Sequence, residues 1–568
     1  MVHAYRETTS PARGARILPH PPSHLVFAGA LPEASGGAGI PGSRRPEGRR
    51  AGTGPTAVVP ASPPPREPSS RRRDRWLATL ALLPLLACGS RGGDYAAPLD
   101  SEGPFAGAGE VVALNTTDGA LLAVDPAAEA VRALPVAPGG RHLTLTPDGL
   151  TALVVTGNTL AAPALAALSL SPDSLGTEVD TPLPANPDVV HVGPDGRFVL
   201  LTVDPSETQA GPGQAVVNPN QAVIVDRAAG TAAAVALGTD SPAPRAVVFA
   251  EPGQGGTQLC AVLFDKAIAI LDLGAPTNVV RVPVRIQGGP DVTPLMALFS
   301  SFVSGQGYLY VMAAQTDDVI AIALSTTGGL AASINFLAGG QGLTDIALPS
   351  GPPPPATVLA LYGQKALQLD ATGRVDLTVS ATLAAPATQL APAAANLLYA
   401  FSTEGGDELS VWDPAHGQAA GATLDGPVQA LVVSPAGDFA VAAIASSPPE
   451  LAVLSAALGA GGPALSVSPL VVAGPPVGME FDAAGDCYFA QAGTPFVTRV
   501  DPRSLATQSV TLDSDATGLL LLPAAAIALQ SSPFGQLTVV PTGSFDRADS
   551  RVFPDYLLTR EVSLVSGP

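Results

Sequence analysis

Arg141-His142-Leu143-Thr144-Leu145-Thr146-Pro147-Asp148-Gly149-Leu150-Thr151-Ala152-Leu153-Val154-Val155 constrains this chain more than any other stretch. Alternating apolar positions lead into Pro147-Asp148-Gly149 and a β-branched run leads out, so the segment reads as strand, tight turn, strand. Proline fixes φ, aspartate hydrogen-bonds locally and glycine accepts positive φ. The pattern returns from Val189 to Leu201 around Gly193-Pro194-Asp195-Gly196, and in altered form from Leu431 to Val441 around Ser434-Pro435-Ala436-Gly437. A recurring unit of this kind lets one closed fold absorb several hundred residues, so 568 residues do not require several domains.

A second element marks each unit: an apolar run ending in Asp or Ser, followed by a Pro/Gly/Ala turn. It recurs at Leu122–Asp125, Leu168–Ser171, Val223–Asp226, Ala269–Asp272 and Ile322–Ser325. It continues at Leu367–Asp370, Ser410–Asp413, Ala452–Ser455 and Thr498–Asp501, with Gln536–Val540 as a tenth. The spacing, roughly 40 to 55 residues, is close to the period of a four-stranded propeller blade. In the third unit the four strands are expected at Asp188 to Val192, Arg197 to Val203, Gln221 to Asp226 and Ala232 to Leu237. Such a sheet has two apolar faces and cannot bury both alone, whereas sheets gathered radially bury both. The expectation is therefore an all-β chain, a β-propeller of about 7–10 repeated four-stranded blades over residues 110–545. A pair of β-sandwiches is the alternative. The first unit reads as lacking its innermost strand. Residues 546–568 contain a candidate ring-closing strand, Tyr556 to Val562.

Upstream of the body the composition changes. Residues 1–70 are rich in Pro, Gly, Ser and Arg without apolar periodicity and read as a disordered tail; a start assigned too far upstream would give the same composition. Residues 71–87 read as an export signal: Arg71-Arg72-Arg73-Asp74-Arg75, then an apolar core from Trp76 to Ala87. That core is too short to span a bilayer as a helix, and Pro84 interrupts it. Leu85-Leu86-Ala87-Cys88 resembles the lipobox of bacterial lipoproteins. The resemblance implies lipidation of Cys88 after cleavage of the preceding bond. Gly89 after the cysteine implies outer-membrane sorting, facing the periplasm or the cell surface. Residues 88–109, rich in Gly, Ala, Ser and Pro, read as a flexible tether.

Composition narrows the partners. Hydrophobic residues make up 46% and charged ones 13%, too apolar for a disordered chain. Twelve of the 28 basic residues but five of the 48 acidic ones precede Trp76, leaving 16 basic and 43 acidic, a net −27, in the rest. So acidic a body repels phosphate backbones and argues against nucleic acid. Contact with a membrane is expected through the lipid anchor only, and the partner is a protein or small molecule of unknown identity. Three cysteines exclude a disulfide framework; Cys260 and Cys487 sit in apolar runs and read as buried thiols.

Chemistry is sparse. There is no Gly-x-Ser-x-Gly elbow, no His-Glu-x-x-His and no phosphate loop; Gly339-Gly340-Gln341-Gly342 lacks the following lysine. No catalytic residue, metal site or cofactor is assigned. Asp482 to Asp486 and Asp513-Ser514-Asp515 are acidic turns without the ligand count of an EF-hand. In a propeller, functional residues gather where the innermost strands begin. Counting back from the turn proline gives Arg141, Asp188 and Gln429, and alignment on the turn glycine adds Arg245. These four are the candidate ligand-binding residues at the channel mouth, suited to an anionic ligand or a carbonyl. Solvated positions at a channel mouth are also polar by default. His142 and His191, on neighbouring inner strands, are secondary candidates.

Asn186 to Val199, followed by Gln221 to Asp226, is similar to the YVTN-type propeller repeat of bacterial surface proteins and lactonase-like propellers. The likeness covers units two to four and eight to nine best. The Tyr-Val element survives only in variants such as Tyr310-Val311. The resulting expectation is an exported, lipid-anchored binding or interaction module at the bacterial cell envelope. The rival readings are a lactonase-like hydrolase working at the channel mouth and a structural subunit of an envelope complex.

Overall fold

The computed structural model describes residues 100–558, apart from 138, 158–161, 172–173, 185–186, 188, 204–219, 239–243, 252–257, 287–288, 290, 350–355, 372–378 and 533. The tail, the export signal and Cys88 lie outside the described residues. Among the described residues forty strands form ten four-stranded antiparallel sheets, each following the chain from its first strand to its fourth. These are the blades of a propeller. Their inner strands begin with Ser101–Ala106, Arg141–Leu145, Val189–Val192, Ala246–Phe249 and Thr293–Phe299. Leu343–Ala347, Gln389–Pro392, Val428–Val433, Pro476–Phe481 and Ala516–Leu522 complete the set. Inner strands touch between the first and second, second and third, fourth and fifth, sixth and seventh, eighth and ninth, and ninth and tenth blades, and that of the tenth touches that of the first, which closes the ring.

The strand period explains why the blades need one another. Successive side chains of a strand point to opposite faces. In the first blade, Leu122 and Val124 pack with Ile527, Leu537 and Val539 of the tenth. Leu121 and Ala123 pack with Ala152 and Val154 of the second. Both faces are thus dry, and the strand reads as an unbroken apolar run rather than an alternation. All ten seams carry an apolar cluster of this kind.

The ten apolar runs found in the sequence are the third strands of the ten blades, from Ala120–Asp125 to Gln536–Pro541. Their terminal aspartates shape the next turn. Asp125 Oδ1 accepts from the backbone N–H groups of Ala127 and Ala128, both at 2.9 Å, and Asp226 Oδ1 does the same for Ala228 and Ala229. Asp413 and Asp501 accept the N–H two residues on. The carboxylate thereby satisfies backbone donors that the hairpin leaves free.

The Pro-Asp-Gly turns join the first strand of a blade to the second. Gly149 N donates to Thr146 O at 2.8 Å, and Thr146 Oγ1 donates to Asp148 Oδ1 at 2.6 Å. Gly149 is needed twice over: its φ is +68°, and a Cβ there would lie 2.6 Å from Ala108 N. The approach is close because Ala108 N donates to Gly149 O, stitching the first blade to the second. Gly437 repeats the arrangement, its carbonyl accepting from Ala394 N of the seventh blade at 2.7 Å.

Two expectations need correction. The first blade does not lack its inner strand: Ser101–Ala106, inside the stretch read as tether, pairs with Val111–Asn115. Gly103 and Pro104 hid it. The strand tolerates them because its register shifts between Glu102 and Phe105, and because an edge strand spares one row of N–H groups. The proposed closing segment is not a strand in its described part, since Tyr556–Leu558 is a single 3-10 turn. The sheets accordingly run from 101 to 554, beyond the expected 110–545. Closure is by packing and two further links, Asn115 Nδ2 donating to Leu557 O at 3.2 Å and Arg551 pairing with Glu129 at 2.8 Å. Thr116 N donates to Asp100 O, so the turn at Asn115 and Thr116 holds both ends of the ring. In the third blade the strands are Val189–Val192, Phe198–Thr202, Gln221–Asp226 and Thr231–Ala236, within a residue or so of expectation.

Candidate functional site at the channel mouth

Antiparallel meandering puts the starts of all ten inner strands, the loops between blades and the loops joining second to third strands on one rim. Seven of the inner strands are bulged near their start on this rim. Register shifts fall at Glu102/Phe105, Arg141/Thr144, Pro294/Met296, Leu343/Asp345, Val428/Ala430, Pro476/Gly478 and Ala516/Gly518. A bulge frees one residue from the ladder and turns its side chain outward. Leu295 is such a residue and is 51% exposed despite its apolar side chain; Gln429 is another.

Bulges, and the unpaired edge of the inner strands, leave backbone N–H groups without a strand partner, and carboxylates of the preceding blade take them up. Glu102 accepts from His142 N at 2.8 Å through Oε1 and from Leu143 N at 2.6 Å through Oε2. Asp345 of the sixth blade accepts from Leu390 N of the seventh at 2.7 Å, and from Ile346 N at 2.8 Å. Glu480 of the ninth takes a backbone hydrogen bond from Leu521 of the tenth. Burial pushes Asp345 up to about 6 and Glu480 up to about 7, and the amide hydrogen bonds only partly oppose it.

The sequence-derived candidates are distributed around the rim. Arg141 Nη1 donates to the carbonyls of Gly139 and Gly157, at 3.2 and 2.9 Å. Arg245 pairs with Asp265 on the loop between the second and third strands of its own blade. Gln429 is exposed. Asp188 lies outside the described residues. The three described residues belong to the second, fourth and eighth blades, none of them neighbours. His142 has positive φ, +58°, at the bulge held by Glu102. His191 is taken up within its own blade: its Nε2 lies 3.1 Å from Thr202 Oγ1, and burial lowers it to about 4. His416 is on the opposite rim, 2.6 Å from Asp413. The three do not converge, and no group of three or more His, Cys, Asp or Glu suited to a metal occurs among the described residues. Cys260 and Cys487 are buried free thiols pushed up by burial. The acidic turns are structural. Asp482 Oδ1 accepts from Ala484 N and Asp486 N, and Asp513 pairs with Arg547.

What the rim does assemble is a cavity of about 700 Å³ across the fifth, sixth and seventh blades. The fifth blade contributes Leu295, Met312 and the Ala314–Asp317 loop, the sixth Leu343 and Thr344, the seventh Thr388, Gln389, Thr403 and Glu404. The inter-blade glycine segment borders it, Gly342 N donating to Asp317 Oδ1 at 3.0 Å. None of these lining residues was singled out from the sequence. The Pro-Asp-Gly and Pro-Ala-Gly turns locate rim positions in other blades, but neither motif stands between the first and second strands of these three. The third-strand anchors would have served instead, because they are present in all three.

Fold and rim together define a ten-bladed β-propeller with a polar groove at one channel mouth. No protein-family model matches the sequence, and no curated protein matches it significantly. Among solved structures the chain is similar to the dihydro-heme d1 dehydrogenase NirN in complex with DHE. The TM-score is 0.39 at 12% identity, over 73% of this chain and 76% of that one. It is also similar to a structure described as the eukaryotic initiation factor, with the same TM-score and identity, over 66% of this chain and 92% of that one.

Proposed function

We propose that this chain is a binding or interaction module of the bacterial cell envelope that takes its ligand at the channel mouth. The observation that carries the reading is the cavity of about 700 Å³ spanning three blades, within the size range of ligand sites and mixed in lining as they are. Rigid strands position that lining, and the loops supply variety, which is how propeller rims serve recognition. Arg141, Arg245 and Gln429 are proposed as further contacts on the same rim, and Asp188, which lies outside the described residues, as a fourth. The YVTN-type likeness of units two to four and eight to nine agrees with a surface-displayed propeller. Export and attachment to the outer membrane through Cys88 rest on the basic run, the short apolar core and Leu85-Leu86-Ala87-Cys88.

Two experiments test this reading. Cys88→Ser is expected to abolish acyl labelling and release the protein from membranes; label retained in that variant refutes the anchor. For the site, Leu295→Glu combined with Gln389→Ala is expected to lose ligands or partners bound by the wild type while the fold is kept. Binding indifferent to these changes removes the groove from the function. Turnover of a lactone panel that disappears in Arg141→Ala and Arg245→Ala would replace the binding role with hydrolysis.

A further inference from the structure

We infer that the groove across the fifth to seventh blades is a site for an aliphatic polyamine. This deepens, and rests on, the reading of the rim as a binding surface.

Charge is the first argument. Asp317 reaches the groove from the loop of the fifth blade and Glu404 from that of the seventh, and no Lys or Arg among the described residues lines it. Nearby on the rim, carboxylates are neutralised: Asp265 by Arg245, and Asp291 by Lys266 and Arg285. Neither Asp317 nor Glu404 forms an ion pair among the described residues. The site is left anionic where adjoining parts of the rim are balanced.

Hydrogen-bond polarity is the second. Two of the neutral groups, Thr344 and Gln389, spend a donor on the protein. The single Thr344 hydroxyl proton is shared between Leu361 O and Ala387 O, at 3.2 and 3.1 Å. Gln389 Nε2 points to Thr403 Oγ1 at 3.4 Å, and Thr403 N donates to Thr388 Oγ1 at 3.3 Å. The Gln389 carbonyl, the remaining lone pairs and the two carboxylates are acceptors. An ammonium is all donor and no acceptor, so it matches this set.

The third argument is shape. Leu295, Met312 and Leu343 offer apolar surface between the acidic loops, which suits methylene spacers. No aromatic side chain among the described residues lines the groove, so a quaternary ammonium held by ring faces is a poorer match. A bare divalent cation would need several oxygen ligands converging on one point, and no such group is present among the described residues.

Calorimetric titration of the full chain with spermidine tests the inference, with 1,8-octanediol and a dicarboxylate of similar length as comparators. Saturable spermidine binding is expected, weakened by added salt. Each of Asp317→Asn and Glu404→Gln should weaken it about tenfold, corresponding to loss of one charge-assisted contact. Both residues are exposed, and Asn keeps the Oδ1 acceptor for Gly342 N, so the thermal midpoint should hold. Absence of saturable spermidine binding at millimolar concentration overturns the proposal. So does an affinity unchanged in both variants, which would mark general attraction to an acidic surface. If the diol or the dicarboxylate binds and Leu295→Glu abolishes it while spermidine does not bind, the cationic class fails and the binding groove stands. If no ligand or partner responds to any groove variant, both readings fail.

Discussion

Replacing Glu102 by alanine tests how the ring is held together at its channel mouth. Glu102 is half-buried and carries two charge-assisted hydrogen bonds across the first seam, to His142 N and Leu143 N. The bulge removes both amides from the local ladder, so no strand can take over. Hydrogen bonds to a charged group contribute about 1.5–3 kcal/mol each, and partial solvation argues for the lower end, giving a loss of about 3 kcal/mol. Spread over a ring of this size, that corresponds to a fall of only about 3 °C in the thermal midpoint. Repeat arrays also unfold with limited cooperativity, which blunts a global measurement further. Amide hydrogen exchange is therefore the assay. Protection of His142 and Leu143 should fall about tenfold or more, because 1.36 kcal/mol is one decade. Glu102→Gln, which keeps one acceptor oxygen and turns an NH2 toward the other amide, should lie between wild type and alanine. Unchanged protection at these two amides in Glu102→Ala would refute the reasoning, whatever the global stability does.

Gly149→Ala should destabilise by about 2 kcal/mol or more in urea unfolding, since it adds a positive-φ penalty to a Cβ 2.6 Å from Ala108 N; a loss below about 0.5 kcal/mol would mean the turn moves freely. The pH dependence has a defined sign. Asp345 and Glu480 titrate higher in the fold than in the unfolded chain, so each contributes stability that is full below the unfolded carboxyl value and lost as pH rises through about 6 and about 7 respectively. His191 works oppositely, its contribution present above about 6.5 and lost as pH falls through about 4. Each term is worth about 3 kcal/mol, so His191→Gln should leave a protein whose stability rises from pH 8 to pH 5; a fall over that range sinks the assignment. Cys260 and Cys487 should resist thiol reagents in the native protein and react on unfolding, with native-state labelling as the contrary result.

The parts of this fold that were legible are those whose physics leaves a mark on residue type. A third strand buried on both faces needs a continuous apolar run, and at several blades an aspartate caps the turn that follows, so Ala120–Asp125 and its nine equivalents stood out. Inner strands leave a fainter trace. One edge is unpaired and bulges shift the period, so Ser101–Ala106 looked like a linker. The groove was illegible for a related reason. Asp317 and Glu404 are ordinary loop acids 87 positions apart until ring curvature brings the fifth and seventh blades to one cavity. Arg141 and Arg245 were found by counting, but counting could not reveal that carbonyls and Asp265 already occupy their guanidinium groups.

Both ends of the ring meet at Asn115 and Thr116, and the seam there is built from the same kind of apolar contact as the others. The order in which the blades occur along the chain is therefore incidental to the finished molecule. A permuted gene that starts between any two blades, with a short join from residue 558 to residue 100, should yield the same circle and the same groove. The architecture is thus open to rearrangement by cutting and rejoining, without a strand having to be shared.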